Sequence, residues 1–268
     1  MRFEYNIHTP DGSFGAYIAM PATVPAPVVV VVQEAFGVNA NMRACCDELA
    51  DQGFVAVCPD LYWRQEREVD LSETDDAPKA FGLYGALDLD AAVRDVQATV
   101  RQMRDSNLCS GRVGVLGYCL GALLTYLVAV RGGVDAGVCY HGSRTEEFLG
   151  EAAALEGPLL MHLAELDEWI PPEAQAAIRA ALVPKGVEVH DYAGCYHAFA
   201  RHQGQHFDAK AAASADGRTS EFLRRHLARL RLERAGTRTV PCLCIHGSVQ
   251  GAPQDGVVYR PTAIDWRD

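Results

Sequence analysis

The sequence lacks two features that would have pointed to nucleic-acid or membrane proteins. No uninterrupted apolar stretch approaches about 18 residues, the length that a membrane-spanning helix needs. Basic residues are not in excess either, since 24 Lys and Arg stand against 35 Asp and Glu and the formal net charge is −11. Nucleic acids and anionic membranes attract clustered positive charge. We therefore expect neither as a partner.

The nine cysteines lack the regular spacing of a disulfide framework or a zinc site. Their number is odd and the chain is long, whereas disulfide-rich domains are short and their cysteines pair. Cys242 and Cys244 form a C-x-C pair, but no second pair or histidine cluster completes a zinc pattern. Residues 1–12 contain no apolar segment typical of a secretory signal. These observations predict a reduced, cytoplasmic protein.

Length and composition favour one large α/β domain. The chain has 268 residues, of which 49% are hydrophobic and 22% charged, so a sizeable core can be buried. We predict a single domain over residues 1–231. Residues 232–268 show no clear periodicity and are predicted to be a C-terminal extension with poor order. The highly charged stretch 64–80 is predicted to be a surface excursion near the mouth of a pocket.

Strand and helix patterns alternate along the chain. Residues 3–7 and 15–20 flank a turn at 9–12, which predicts an N-terminal β-hairpin. The continuous β-branched run at 26–32 is typical of a strand buried on both faces of a parallel sheet. Further strands are predicted at 54–59, 113–117, 134–140, 158–163 and 187–192, and helices at 41–51, 93–103, 120–130, 173–182 and 220–230. The alternation implies a mostly parallel sheet with helices on both faces.

The segment Gly117-Tyr118-Cys119-Leu120-Gly121 lies between an apolar strand and an apolar helix. This G-x-C-x-G arrangement matches a nucleophile elbow in which cysteine takes the usual serine position. The two glycines lack Cβ and let strand and helix approach closely, and the helix N-terminus favours a thiolate. The backbone N–H of Leu120 is then an oxyanion-hole donor. The alternative is a buried cysteine in a glycine-rich turn, and a phosphate loop is disfavoured because no Gly-Lys-Ser/Thr follows.

Two candidate partners follow the nucleophile in the order that an α/β-hydrolase uses. Asp167 lies in the loop after one predicted strand, and His197 lies in the loop after the next. A free thiol has a pKa of about 8.5, so Cys119 needs a base or a positive neighbour at neutral pH. His197 can supply this, with Asp167 fixing its tautomer. Glu165 and Glu168 are alternative acids, and a surface role is the alternative for the histidine.

These residues resemble the dienelactone hydrolase family over roughly residues 1–230. The resemblance rests on Gln33-Glu34-Ala35-Phe36-Gly37, the elbow, Asp167 followed by Ile170-Pro171, and Gly194-x-x-His197-x-Phe199-x-Arg201. It implies an α/β-hydrolase fold and a Cys-His-Asp triad without metal or cofactor. It also implies hydrolysis of a small ester or lactone, of the dienelactone-to-maleylacetate type, in the breakdown of aromatic compounds. We expect a monomer or a small homo-oligomer.

The same resemblance assigns roles to other residues. Glu34 is expected beside the thiol, where it helps to control ionisation, and the alternative is an ordinary surface carboxylate. The N–H of Ala35 is expected to complete the oxyanion hole. Arg201 is expected to hold a substrate carboxylate with its planar guanidinium, with a solvated surface arginine as the alternative. Tyr84 matches a pocket-lining aromatic position, although a core tyrosine is an equal alternative.

The sequence departs from the family pattern at residues 76–80. A second carboxylate-binding arginine is expected there, but the chain has Asp76-Ala77-Pro78-Lys79. Lys79 is the candidate replacement, acting as a point charge. This departure leaves open a broad-specificity esterase or thioesterase on the same scaffold. A non-catalytic thiol-sensing or binding protein is a third reading, because fold does not dictate function.

Overall fold

The computed structural model describes residues 5–202 and 204–228. The strands are β1 (Tyr5–Thr9), β2 (Gly12–Ala19), β3 (Ala26–Val32), β4 (Val55–Pro59), β5 (Cys109–Tyr118), β6 (Ala136–Tyr140), β7 (Leu159–Ala164) and β8 (Glu188–Tyr192). The α-helices are α1 (Ala40–Asp51), α2 (Ala77–Gly85), α3 (Leu89–Asp105), α4 (Leu120–Arg131), α5 (Pro172–Leu182) and α6 (Ala209–Leu227). Two 3-10 segments, Thr145–Ala154 and Val183–Lys185, lie between β6 and β7 and between α5 and β8.

All eight strands form one sheet in the order β1-β2-β4-β3-β5-β6-β7-β8. β1 and β2 form an antiparallel hairpin, and β2 pairs antiparallel with β4. The strands from β4 through β3 to β8 are parallel. The predicted hairpin and the mostly parallel sheet are therefore confirmed. Since the strands β3 to β8 run in one direction, the loops that follow them meet at one edge of the sheet.

The run of valines in β3 shows why helices cover both faces of the sheet. Val28, Val30 and Val32 belong to the core under α3 and α4, whereas Val29 and Val31 belong to the core under α1 and α6. Successive side chains of a strand point to opposite faces, so a strand without polar residues must be buried twice. This double burial fixes β3 in the centre of the sheet. The residues that follow β3 are thereby held at the middle of the edge where these loops meet.

The last helix differs from its prediction. It was expected to begin near residue 220, but α6 begins at Ala209. Asp208 caps it, because its carboxylate accepts a hydrogen bond of 2.9 Å from the backbone N–H of Ala211. Its first two turns bury Ala212 and Ala215, whose small side chains give a weak hydrophobic pattern in the sequence. Predicted positions 229 and 230 lie outside the described residues.

The charged stretch 64–80 contains a structural element that the sequence did not predict. Its last residues begin α2, which has Pro78 in its first turn, a position where proline is tolerated. Ala77, Phe81 and Tyr84 of this helix lie at helical spacing on the side that lines a cavity. The excursion therefore lies at the mouth of a pocket, as we expected.

Within residues 5–202 and 204–228, no helix is both long and apolar enough to cross a bilayer. The seven cysteines of this part are all free: Cys45, Cys46, Cys58, Cys109, Cys119, Cys139 and Cys195. Cys242, Cys244 and the predicted extension 232–268 lie outside the described residues.

Candidate active site

Cys119 lies between β5 and α4 in a strained backbone conformation, with φ of 52° and ψ of −114°. A Cβ on Gly117 would lie 2.1 Å from the carbonyl oxygen of Gly121, and a Cβ on Gly121 would lie 2.2 Å from that of Val32. No side chain fits at either position, so the glycines permit the close approach of strand and helix. A positive φ at a residue other than glycine costs free energy and persists only when its surroundings enforce it. Here the sharp turn carries the buried sulfur to the edge of the sheet.

His197 and Asp167 form a buried hydrogen-bonded pair at the same edge. Nδ1 of His197 lies 2.9 Å from each carboxylate oxygen of Asp167. The backbone N–H of Trp169 donates a further bond of 2.9 Å to Oδ1 of Asp167, which fixes the carboxylate. Asp167 follows β7 and His197 follows β8, so neighbouring strands bring the two residues together. An acceptor at Nδ1 places the proton of a neutral ring there and leaves Nε2 free for chemistry.

The charge state of His197 depends on Cys119. Burial by itself lowers the pKa of the imidazole, but the charge of Cys119 and the hydrogen bond to Asp167 outweigh burial and raise the pKa to about 10. Nε2 is buried and makes no hydrogen bond to the part of the chain that the structure describes. The ring is therefore suited to exchange a proton with the sulfur or with a bound molecule.

A second histidine, His141, packs against His197 and was not predicted. It follows β6 with φ of 41°, and its ring meets that of His197 edge to face with centroids 4.6 Å apart. Its side chain is fully buried, and neither ring nitrogen has a partner among the described residues. Burial, followed by the charge of His197, holds the pKa of His141 well below its usual range. The ring is therefore neutral and limits the positions that His197 can take.

Ser143 lies between Cys119 and Tyr84 and was also not predicted. Its hydroxyl oxygen lies 3.8 Å from the sulfur of Cys119 and 3.3 Å from the hydroxyl oxygen of Tyr84. Burial raises the pKa of Tyr84, whose phenol therefore stays protonated. Tyr84 lines the cavity. Tyr84 also packs against the hydrophobic core, so pocket lining and core packing both describe its position.

Glu34 and Arg201 pair with each other, although they were predicted for separate roles. Nε and Nη2 of Arg201 each donate a hydrogen bond of 2.8 Å to one carboxylate oxygen of Glu34. Nη1 forms an ion pair of 2.5 Å with Oε1 of Glu73, a residue that the sequence did not single out. Burial lowers the pKa of Arg201, but the charges of Glu34 and then Glu73 outweigh burial and raise it. The guanidinium also lies over the ring of Phe36, 5.1 Å from its centroid.

The two predicted oxyanion-hole residues lie on different elements. Leu120 is the first residue of α4, where backbone N–H groups have no acceptor within the helix. Ala35 borders the cavity in the loop after β3. Its carbonyl oxygen accepts a hydrogen bond of 3.1 Å from the hydroxyl of Tyr62, which holds the peptide between Ala35 and Phe36 in place.

The cavity above Cys119 has a volume of about 230 Å³. This is smaller than the roughly 300–1,000 Å³ of pockets that bind drug-sized ligands, so the site suits a small molecule. Aromatic rings form its outer wall, where Phe81 stacks on Trp169 with centroids 5.4 Å apart. Both rings are about half exposed.

Lys79 differs from its sequence-based expectation. Its ammonium pairs with Oε1 of Glu66 at 2.7 Å, and 47% of its side chain is exposed. The cause is helical geometry: Ala77 and Phe81 face the cavity, and a residue midway between them points to the opposite side of α2. Lys79 does not line the cavity of the described chain, so the structure does not support a substrate-binding role for it.

Comparisons with known proteins agree on one family. The model of the dienelactone hydrolase family matches residues 14–227. A candidate carboxymethylenebutenolidase of Azospirillum brasilense is 44% identical over 224 residues, which cover 81% of this chain and 95% of that protein. A carboxymethylenebutenolidase of Pseudomonas putida is 40% identical over 222 residues, 81% of this chain and 94% of that protein. The crystal structure of a candidate dienelactone hydrolase from Klebsiella pneumoniae has a TM-score of 0.74 and 26% identity, covering 81% of this chain and 95% of that one.

Proposed function

Because this chain belongs to the dienelactone hydrolase family of carboxylic ester hydrolases, we propose that it hydrolyses a small ester or lactone of the dienelactone type. Cys119 is the proposed nucleophile, His197 the proton carrier and Asp167 the residue that orients the imidazole. The observation that carries this proposal is the convergence of a cysteine on a strained elbow with a buried His–Asp pair at one edge of the sheet. A cavity of small-molecule size above the sulfur supports it.

In the first half of the proposed reaction, the thiolate of Cys119 attacks the carbonyl carbon. The tetrahedral oxyanion accepts hydrogen bonds from the N–H groups of Leu120 and Ala35. As the C–O bond breaks, the leaving oxygen takes the proton from Nε2 of His197, and a thioester forms. With a lactone substrate, the leaving oxygen stays part of the same molecule.

In the second half, water hydrolyses the thioester. Neutral His197 accepts a proton from the attacking water, whose oxygen bonds to the acyl carbon. The C–S bond then breaks, the carboxylic acid leaves, and the sulfur departs as thiolate beside the imidazolium. Asp167 holds the ring in one tautomer throughout both halves.

The experiment compares Cys119→Ala with Cys45→Ala on a small activated ester. Cys45 lies on α1 outside the cavity and serves as the matched control. We expect Cys119→Ala to lose turnover by at least about 10³-fold while circular dichroism is unchanged, since only the reacting sulfur is removed. Mass spectrometry of the wild type should detect an acyl adduct on Cys119. Undiminished turnover in Cys119→Ala would refute the mechanism.

A broader esterase or thioesterase activity is the second candidate. It is favoured by the absence of arginine in Asp76-Ala77-Pro78-Lys79 and by the position of Lys79 on the exposed side of α2. Comparing kcat/KM for a carboxylate-bearing lactone and a neutral ester separates the two candidates. A preference for the neutral ester favours the broader activity.

We further propose that the protein acts in the cytoplasm as a monomer or small homo-oligomer, with residues 1–231 as the catalytic domain and 232–268 as an extension. The compact unit to which the described residues 5–202 and 204–228 belong supports the proposed domain boundary. The seven free cysteines of these residues support a reducing compartment. Light scattering of the full chain after size exclusion measures the oligomeric state. Limited proteolysis that cuts first within residues 1–228 would contradict the proposed boundary.

A further inference from the structure

Arg201 is surrounded by two carboxylates that differ in accessibility. Glu34 binds Nε and Nη2 from the buried side, and only 1% of its side chain is exposed. Glu73 binds Nη1 from the side of the excursion, and 29% of its side chain is exposed. Glu34 is thus inaccessible from solvent, whereas Glu73 is the partner that a molecule entering from solvent reaches first.

The charges around the cavity make this ion pair important for substrate choice. Within residues 5–202 and 204–228, Arg201 is the sole lysine or arginine that lines the cavity, and Glu73 and Glu168 line it as well. Glu34 neutralises the guanidinium from behind. A second carboxylate on Nη1 therefore leaves no excess positive charge at Arg201. An anionic molecule that enters the intact cavity meets like charge from Glu73 and no free guanidinium edge.

We propose that Glu73 is a specificity-determining residue, an internal carboxylate that competes with the carboxylate of anionic substrates for Nη1 of Arg201. A guanidinium edge binds carboxylates well because its N–H groups match their geometry. Glu73 holds that edge at a high effective concentration because it is part of the same chain. An anionic ester must displace Glu73 before it binds there, whereas a neutral ester binds without displacing it. This inference rests on the proposed hydrolase function.

Glu73→Gln tests the inference because it removes the charge and keeps the shape of the side chain. Glu66→Gln is the matched control, since Glu66 belongs to the same excursion but pairs with Lys79 outside the cavity. The substrates are p-nitrophenyl hemiglutarate, which carries a carboxylate, and p-nitrophenyl valerate, a neutral ester with an acyl chain of the same length. We expect Glu73→Gln to lower KM for the hemiglutarate by about 10-fold and to change KM for the valerate by less than 2-fold. Glu66→Gln should change neither by more than 2-fold.

An unchanged ratio of the two KM values in Glu73→Gln, or an equal change in both, would overturn the inference. If the wild type hydrolyses neither ester, the proposed function fails, and the competition by Glu73 is then tested by ligand binding alone. In that case calorimetry measures the Kd of glutarate for the wild type and for Glu73→Gln. Tighter binding to the variant supports competition, and equal binding overturns it. Glu73→Ala repeats the test if the glutamine variant does not fold.

Discussion

The substitution Gly121→Ala tests the geometry that positions Cys119, the proposed nucleophile. Gly121 is the second residue of α4, and alanine is favoured over glycine in a helix by roughly 0.8–1 kcal/mol. By that measure alone, the substitution would stabilise the protein. Gly217 in the middle of α6 offers the same exchange at a position where an added Cβ meets no atom within 4 Å.

The structure predicts opposite results at the two positions. At Gly121 an added Cβ would lie 2.2 Å from the carbonyl oxygen of Val32 and 2.7 Å from that of Gln33, whereas ordinary contacts begin at 3.4 Å. Both obstacles are backbone atoms and cannot rotate away, so helix and strand must separate by about 1 Å. Such overpacking costs about 1–3 kcal/mol, which exceeds the gain in helix propensity. A displacement of about 1 Å at a reacting group such as the proposed nucleophile can lower the rate by about 10²-fold.

Urea unfolding followed by circular dichroism measures both variants. We expect Gly217→Ala to raise the free energy of unfolding by about 0.5–1 kcal/mol and Gly121→Ala to lower it by about 1–2 kcal/mol. Gly121→Ala should also lose most of its kcat on a small ester. A Gly121→Ala protein as stable and as active as the wild type would show that strand and helix are not in this close contact.

Three further results are expected. In an NMR titration, we expect His197 to stay protonated until the pH approaches about 10, and we expect its pKa to be lower in Cys119→Ala. A pKa near neutral in the wild type would contradict the pairing of His197 with Cys119 and Asp167. Because the folded pKa lies above the unfolded value of about 6.5, the contribution of this histidine to stability is complete below pH of about 6.5 and is lost as pH rises through about 10. Arg201→Met should lower the free energy of unfolding in urea by about 3–5 kcal/mol, because it leaves Glu34 charged and buried. The double variant with Glu34→Gln should regain part of this stability, and no gain would refute the proposed cause. Lys79→Ala should change the free energy of unfolding by less than about 1 kcal/mol and leave KM for an anionic ester unchanged. A several-fold rise in KM would instead support a substrate-binding role for this lysine.

The part of the site that local patterns encode was predictable from the sequence. An apolar strand, a G-x-C-x-G turn and an apolar helix specify an elbow in a dozen residues, and the structure places Cys119 on such a turn. Asp167 and His197 were recognised because each follows a predicted strand, and parallel strands end at one edge. Their pairing at 2.9 Å follows from the neighbouring positions of β7 and β8.

The rest depends on contacts that no local pattern encodes. Glu34 and Arg201 are 167 residues apart, and β5, β6 and β7 separate β3 from β8 in the sheet. Their mutual hydrogen bonds become visible only when the loops that follow β3 and β8 meet in three dimensions. Glu73 belongs to a stretch in which acidic residues are frequent, and its charge alone does not distinguish it. His141 and Ser143 follow β6 without a motif. The end of β6 could have drawn attention to them, because it lies at the same edge of the sheet as Cys119, Asp167 and His197.

Glu34 and Arg201 come from distant parts of the chain, so their pair, like the rest of the site, forms only when folding is nearly complete. Catalytic activity is therefore a measure of complete folding. The site draws on the loops after β3, β5, β6, β7 and β8, and these strands span positions 26–192 of the chain. A refolding intermediate with only half of these strands in place would contain helical structure but no functional pocket. During refolding, recovery of esterase activity should therefore lag behind recovery of the far-ultraviolet circular dichroism signal. The length of this delay would measure how long the last strands take to dock.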